Sequence, residues 1–168
     1  MIMQEVIVKG RGGQGAKTAV EILAKAANYE EKWYLAYPEF GPERSGTPIN
    51  AYFKVDDINI RSREPIKCPD IIVVFDKTLE NFSRGLKRNG VIIVNSIIEK
   101  KYNFVDASTI SKEIAGRFIP NMVMLGALIK ITSILKKESV QKAINDTFEK
   151  KVADFNIKCF EEGYKQAK

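Results

Sequence analysis

The sequence predicts a three-layer α/β domain with a mostly parallel sheet, an added β-hairpin and C-terminal helices. Apolar runs of strand length alternate along the chain with segments of helical period. Residues 70–76 form an unbroken, β-branched run that is typical of a central parallel strand with both faces covered. A glycine-rich turn joins the first strand to the first helix, as in Rossmann-like domains. We therefore expect residues 1–168 to form a single domain.

The first part of the chain predicts strand, turn, helix and strand. Residues 5–8 are a buried strand, and a helix with one apolar face runs from Ala16 to about Asn28. Residues 33–37 form the second strand. In a parallel sheet, the loop after this strand would emerge beside the glycine turn, at the carboxyl edge where open α/β sheets bind ligands.

The middle of the chain predicts a hairpin and then a return to alternating strands and helices. The apolar period changes to two over residues 49–61, which predicts a hairpin turning at Asp56 and Asp57, near a sheet edge or under a neighbouring subunit. Residues 77–86 predict a crossover helix. Two further strands follow at residues 91–94 and 102–105.

The C-terminal part of the chain predicts helices. One begins near Ser108, and Asn121 is the predicted cap of a second, over residues 122–136. This second helix is apolar nearly all round, so we expect it to be deeply buried or shared with another chain. The last two helices, over residues 139–148 and 152–164, are amphipathic, and Cys159 on the apolar stripe is predicted to be an inert core thiol.

The glycine turn is the predicted binding site. Its four glycines permit positive φ angles and a close approach of a ligand, and the helix that follows presents N–H groups at the positive end of its dipole. Such a turn can hold a phosphate. Alternatively, the glycines only let the helix pack closely on the sheet. The predicted contacts are Gly10, Arg11, Gly12, Gly13, Gln14, Gly15 and Lys17.

Two nucleotide-binding motifs fit the turn incompletely. The spacing of Gly10, Gly12 and Gly15 matches the dinucleotide fingerprint, but the second strand carries no acidic residue for a ribose hydroxyl. In a P-loop the lysine directly follows the last glycine, whereas here Ala16 precedes Lys17. A dinucleotide is therefore weakly supported, and an ATPase is rejected.

Composition excludes several other classes. The 27 basic and 21 acidic residues give a net charge of +6, but the basic residues are scattered, so we expect solvated faces and no nucleic-acid groove. Cys68 and Cys159 lack metal or cluster spacing, and the chain has no histidine, the commonest general base. Catalysis by this chain alone is therefore not expected. No apolar run reaches membrane-spanning length, which predicts a cytoplasmic protein without a membrane contact.

Four segments together resemble the gamma subunit of 2-oxoacid:ferredoxin oxidoreductases. They are residues 10–15, 38–48, 69–76 and 121–126, in the order found in that family. The family converts a 2-oxoacid and coenzyme A to an acyl-CoA, carbon dioxide and reduced ferredoxin, or runs the reverse reaction. The resemblance implies alpha, beta and ferredoxin-like delta subunits as partners and an external ferredoxin. It also implies that thiamine diphosphate and [4Fe-4S] clusters are carried by those partners, with coenzyme A as the ligand of the glycine turn.

The resemblance favours pyruvate as the substrate. The loop sequence over residues 38–44 is similar to pyruvate-type and branched-chain-type gamma chains more than to the 2-oxoglutarate type. Ser45 departs from the arginine that family members often have. The alternatives are the same subunit of a 2-ketoisovalerate or 2-oxoglutarate enzyme, a stand-alone nucleotide- or CoA-binding module, and a structural subunit whose turn binds nothing.

The loop after the second strand is predicted to dock on partner subunits beside their thiamine diphosphate. Its prolines reduce the entropy lost on ordering, Phe40 offers an apolar anchor, and Glu43 and Arg44 can form charge-assisted bonds. The opposite view is a rigid surface loop with solvated charges. The predicted partner-binding residues are Glu39, Phe40, Gly41, Pro42, Glu43, Arg44, Ser45 and Gly46.

Overall fold

The computed structural model describes residues 3–39, 46–62 and 64–168. In these ranges the strands are β1 (Gln4–Arg11), β2 (Trp33–Pro38), β3 (Pro48–Asp56), β4 (Ile71–Val74), β5 (Val91–Asn95) and β6 (Asn103–Val105). The helices are α1 (Ala16–Tyr29), α2 (Ala107–Ala115), α3 (Asn121–Thr132), α4 (Lys137–Asn145) and α5 (Lys150–Gln166). None of the helices in these ranges has the length and apolar character needed to cross a membrane.

The strands form one mostly parallel sheet in the order β2-β3-β1-β4-β5-β6. β1, β4, β5 and β6 are parallel neighbours, while β3 runs antiparallel between β1 and β2. β2 therefore points in the same direction as β1, and Val8 and Pro38 both pair with Ala51. The C-terminal end of β2 thus lies at the same sheet edge as the glycine turn, as predicted.

The helices make two layers on one face of this sheet, which completes a three-layer α/β fold of the predicted class. α1 and α3 contact the strands, and α4 and α5 pack on α1 and α3. Alternate residues of the strands, such as Val8, Phe53 and Val73, join all five helices in one core. The opposite face of β4 and β5 is covered by side chains from turns, among them Phe82 and Leu86.

α3 is the central helix of the core. Its residues 121–129 are all buried, which confirms the prediction of a deeply buried helix. It contacts α5 at two glycines, one on each helix. A Cβ added to Gly126 would lie 2.0 Å from the carbonyl oxygen of Phe160, and one added to Gly163 would lie 2.0 Å from that of Val123. The two backbones are therefore in direct contact, and neither position has room for a side chain.

The predicted hairpin over residues 49–61 is wrong in its second strand. β3 ends at Asp56, whose carboxylate accepts a hydrogen bond from the N–H of Asp57 at 2.7 Å, and Ile58 is 71% exposed. β3 already has strand partners on both sides, so a returning strand finds no free edge. The hairpin that does form joins β2 to β3.

The predicted crossover helix over residues 77–86 is replaced by consecutive turns. Thr78 N–H donates to the carboxylate of Asp76 at 2.9 Å, which competes with a helical first turn. Asn81 and Gly85 have φ angles of 51° and 85°, which no α-helix accommodates. Helical periodicity in the sequence was outweighed here by turn chemistry.

The boundaries of α3 also differ from the prediction. Pro120 occupies the capping position, and Asn121 is the first helical residue. The helix ends at Thr132 because Ser133 adopts a left-handed conformation with φ of 50°, four residues before the predicted end at residue 136. The side-chain oxygen of Asn121 accepts a hydrogen bond from the N–H of Met122 at 2.9 Å, and its amide nitrogen donates to the carbonyl of Gly15 at the start of α1 at 3.4 Å.

We expect Gly126→Ala to lower the free energy of unfolding by about 3 kcal/mol or more, because the added methyl group must separate α3 from α5. Urea unfolding of the full chain measures the loss. Gly116→Ala is the matched control: Gly116 has φ of 68° but no atom within 4 Å of an added Cβ. It should cost only about 1 kcal/mol of backbone strain. Equal losses in the two variants would contradict the close contact of α3 with α5.

Candidate functional site

The glycine turn closes on itself after β1. The N–H of Arg11 donates to the side-chain oxygen of Gln14 at 2.8 Å, and the N–H of Gln14 donates to the carbonyl of Arg11 at 3.1 Å. Gly13 and Gly15 have φ angles of 94° and 82°, a region that residues with a Cβ rarely adopt. Glycine is therefore required at both positions by backbone conformation, whether or not a ligand binds.

Two glycines of the turn also serve packing. A Cβ on Gly15 would lie 2.3 Å from the side-chain nitrogen of Asn121, and one on Gly10 would lie 3.3 Å from Cβ of Phe75. The start of α1 is thus in contact with the start of α3. The packing explanation holds for these two positions, whereas Gly13 is exposed and Gly12 is half-buried.

The first turn of α1 keeps the features of an anion site. Its N-cap, Gly15, supplies no side-chain hydrogen bond, and the turn contains no acidic residue. The N–H groups of Ala16, Lys17 and Thr18 precede Ala19, the first N–H that donates within the helix, so they have no intrahelical acceptor at its positive end. Lys17 is exposed. Asn121 lies against Gly15, whereas Gly13 is exposed.

Arg11 has a different partner from the one the sequence predicted. Its Nε donates to the carboxylate of Asp76 at 2.7 Å, and its terminal nitrogens donate to the carbonyl of Gly46 at 3.1 Å and the hydroxyl of Thr78 at 3.0 Å. Burial opposes ionisation of Asp76, but the hydrogen bonds from Thr78 and Arg11 together hold the pKa of this carboxyl below its usual value. Arg11 therefore ties β1 to the end of β4.

The glycine turn is also tied to the end of the predicted docking loop. Gly12 N–H donates to the carbonyl of Thr47 at 2.9 Å, and Gly46 N–H donates to the carbonyl of Gly12 at 3.1 Å. At the other end of the loop, Asn50 donates to the carboxylate of Glu39 at 2.6 Å. The remaining predicted docking residues, 40–45, lie outside the described residues.

Two pockets lie at the carboxyl edge of the sheet, one on each side of it. The pocket on the helical side, about 290 Å³, is at the ends of β4 and β5. The pocket on the opposite side, about 460 Å³, is at the ends of β1 and β3. The first is lined in part by Gln14, Asp76, Lys77, Asn95, Ser108 and Phe118. The second is lined in part by Lys9, Arg11, Asn50, Thr78, Glu80 and Phe82.

Asn95 and Asp76, which end their strands at this edge, both have structural partners. The amide nitrogen of Asn95 donates to the carbonyl of Phe75 and to the hydroxyl of Ser108, each at 2.9 Å. These bonds connect β4, β5 and the start of α2. These contacts give both residues a structural role at the sheet edge.

The structure adds residues that sequence reasoning missed. Lys9 lies on the floor of the larger pocket, and its signal in the sequence is a lysine between the apolar run of residues 6–8 and the glycine turn. Ile97 and Phe118 line the smaller pocket but remain 71% and 48% exposed. Ile98 beside them is 72% exposed. Exposed apolar side chains of this size at one edge are typical of an interaction surface.

The cysteines match their predicted roles. Cys159 is buried, and burial raises the pKa of its thiol, as expected for an inert core residue, whereas Cys68 is exposed. Within the described ranges, no group of three or more His, Cys, Asp and Glu side chains is arranged to hold a metal ion.

Comparison with known proteins assigns the chain to a family. A profile of the pyruvate ferredoxin/flavodoxin oxidoreductase family matches residues 5–166. The chain belongs to this family. Its membership confirms the resemblance predicted from the four motifs, which together extend from residue 10 to residue 126.

Similar proteins in other organisms are gamma subunits. The subunit gamma common to the pyruvate and ketoisovalerate oxidoreductases of Thermococcus litoralis is 42% identical to this chain, over 98% of this chain and 97% of the relative. The pyruvate synthase subunit PorC of Methanocaldococcus jannaschii is also 42% identical, with the same shares covered. The crystal structure of pyruvate oxidoreductase subunit PORC from Thermotoga maritima matches with a TM-score of 0.88 at 33% identity, over 99% of this chain and 97% of that one.

We expect Asp76→Asn to lower the free energy of unfolding by about 1–2 kcal/mol at pH 7, because the ion pair with Arg11 is lost. The pKa of Asp76 is lower in the folded protein, so its stabilisation is present above the unfolded pKa and disappears as the pH falls through the folded pKa. Wild type and variant should therefore converge in urea unfolding once the pH falls below the pKa of Asp76 in the folded protein. The control Asp154→Asn, at an exposed position on α5, should show no such difference. A gap that persists at low pH would contradict the role given to the carboxylate.

Proposed function

We propose that this chain is the gamma subunit of a multi-subunit 2-oxoacid:ferredoxin oxidoreductase of the pyruvate type. The observation that carries the proposal is 42% identity, over nearly the full length of both chains, to gamma subunits named for pyruvate enzymes. The reaction is the conversion of a 2-oxoacid, coenzyme A and oxidised ferredoxin to acyl-CoA, carbon dioxide and reduced ferredoxin, or its reverse.

The names of the relatives support the view that subunits other than gamma select the 2-oxoacid substrate. The gamma subunit of Thermococcus litoralis is named as common to pyruvate and ketoisovalerate oxidoreductases. One gamma chain can serve two 2-oxoacids only if other subunits distinguish the side chains of the substrates. Pyruvate is the first candidate here, and 2-ketoisovalerate is the second.

The glycine turn is proposed to contact a phosphate group of coenzyme A. The first-turn N–H groups of α1 and the exposed Lys17 support this contact. The side chain of Arg11 is committed to Asp76 and Gly46, so its contribution is to hold the turn in shape. The proposed residues are Gly10, Arg11, Gly12, Gly13, Gln14, Gly15 and Lys17.

The carboxyl edge of the sheet is proposed to meet the alpha and beta subunits. The predicted docking loop begins at Glu39 and ends at Gly46, and both of these residues lie at this edge. The exposed Ile97 and Phe118 lie at the same edge and add apolar area to the proposed interface. Thiamine diphosphate and [4Fe-4S] clusters are assigned to the alpha, beta and ferredoxin-like delta subunits, and the proposed location of the complex is the cytoplasm.

We expect the purified chain to be colourless and to show no 2-oxoacid oxidoreductase activity by itself. Activity with pyruvate, coenzyme A, thiamine diphosphate and ferredoxin should appear only when the alpha, beta and delta subunits are added. The physical reason is that the proposed carbon and electron carriers belong to those subunits. Mixtures that lack this chain are the control. Turnover by the isolated chain, or full turnover without it, would refute the proposal.

We expect Phe40→Ala and Arg44→Ala to weaken assembly with the other subunits. Arg44→Ala should cost about 2 kcal/mol of binding free energy if it leaves a buried partner charge unpaired, and almost nothing if the loop faces water. Co-purification and turnover of the assembled complex measure the effect. Glu113→Ala, at an exposed position of α2, is the control. Normal assembly and turnover with both loop variants would refute docking through this loop.

A further inference from the structure

The face of the sheet opposite the helices is only partly covered. Side chains from the turns after β4, including Phe82 and Leu86, cover β4 and β5. At the carboxyl end of β1 and the start of β3 the same face forms the floor of the pocket of about 460 Å³. A volume of this size is in the range of small-molecule sites. The pocket lies beside the glycine turn, because Arg11 lines it.

Lys9 lies on this floor, and its ammonium group has no hydrogen bond or ion pair with a described residue. Its side chain is half-buried. Burial lowers its pKa, and the more distant carboxylate of Glu39 only partly offsets this effect. A half-buried ammonium group without a partner is costly to the fold, and a bound anion would remove that cost.

Lys54 lies on the same face of the sheet and is a lysine with a structural role. It lies on β3, and its ammonium group contacts the carboxylate of Glu5 at 3.1 Å and donates to the carbonyl of Glu64 at 2.8 Å. Its side chain is 3% exposed, and its charge is paired within the chain. Lys9 lies four residues after Glu5 on β1, and no described residue gives it a comparable ion pair, which favours a bound ligand as its partner.

The surroundings of Lys9 favour a phosphate as that partner. Thr78 and Arg11 also line the pocket, although their polar groups hydrogen-bond to each other and to Asp76. The ring of Phe82 supplies an apolar wall for the body of a ligand. The acidic groups present are largely occupied: Asp76 pairs with Arg11, and Glu39 accepts from Asn50. Glu80 is the further acid at the rim, and it is exposed.

We propose that Lys9 binds a phosphate group of a ligand whose body lies in this pocket, on the sheet side of the glycine turn. The inference rests on the proposed function in one respect: coenzyme A is the phosphate ester expected near the turn. It adds a binding residue and a pocket on the face opposite to α1. Asn121 closes part of the α1 side, which leaves the Lys9 side as the roomier approach.

Calorimetric titration tests the site, first with the full chain and then with the assembled complex. The probes are coenzyme A, 3′,5′-ADP, inorganic phosphate and the phosphate-free pantetheine. We expect Lys9→Gln to weaken binding of coenzyme A about tenfold or more, as for loss of a hydrogen bond to a charged group, and Lys9→Arg to restore most of it. The exposed Lys151→Gln on α5 is the matched charge control and should bind as wild type does. Tight binding of 3′,5′-ADP would assign the pocket to the nucleotide end, whereas equal binding of pantetheine would overturn the proposal.

Gly12→Val separates this inference from the proposed glycine-turn contact. If Gly12→Val weakens coenzyme A binding and Lys9→Gln does not, the turn contact stands and the inference is wrong. If only Lys9→Gln weakens binding, the inference stands and the turn contact fails. Wild-type chain and complex that bind none of the phosphate probes would overturn both.

Acylation of Lys9 gives a readout that does not depend on activity. Acetylation with an N-hydroxysuccinimide ester, followed by peptide mass spectrometry, should modify Lys9 faster than its half-burial alone allows, because its lowered pKa leaves more neutral amine. Coenzyme A should protect Lys9 but not Lys151 in the assembled complex. Full protection of Lys9 in the complex without any ligand would show that a partner subunit covers it, and would overturn the proposal.

Discussion

The direct contact between α3 and α5 is the constraint on which the rest of the fold depends. Both helical layers lie on one face of the sheet, so the inner layer must bury every side of α3. Gly126 and Gly163 allow the two backbones to touch and leave no space for water. This dense packing places the N-terminus of α3, with Asn121, against the start of α1. The core therefore determines which side of the glycine turn remains open.

The glycine turn joins the core to the proposed functional edge. Gly10 and Gly15 serve packing, Gly13 serves a positive φ angle, and Gly12 exchanges backbone hydrogen bonds with Gly46 and Thr47. A ligand at this turn would therefore lie next to both ends of the proposed docking segment. That proximity is consistent with a subunit that contributes binding and positioning to chemistry performed by its partners.

The candidate site could be predicted in part from the sequence. The glycine turn could be predicted because several glycines between a strand and a helix indicate a tight turn that can approach a ligand. The position of the end of β2 beside this turn could be predicted from the parallel direction of β1 and β2. Lys9 was missed because a single lysine in a strand does not show whether its partner is present. The contrast with Lys54 depends on which residues lie opposite on neighbouring strands, and Glu5 opposes only Lys54.

By itself the sequence determined the α/β class, the buried helix α3, the family, and the order of the strands and helices along the chain except the segments after β3 and β4. These depend on local periodicity, on turn residues and on motifs that occur in order. Tertiary structure decided that all the helices share one face, that residues 77–86 form turns, and that β3 pairs on both sides. Each of these results depends on competition among distant segments for the same sheet edge or core space, which no local pattern records. It also decided that Arg11 pairs with Asp76, 65 residues away.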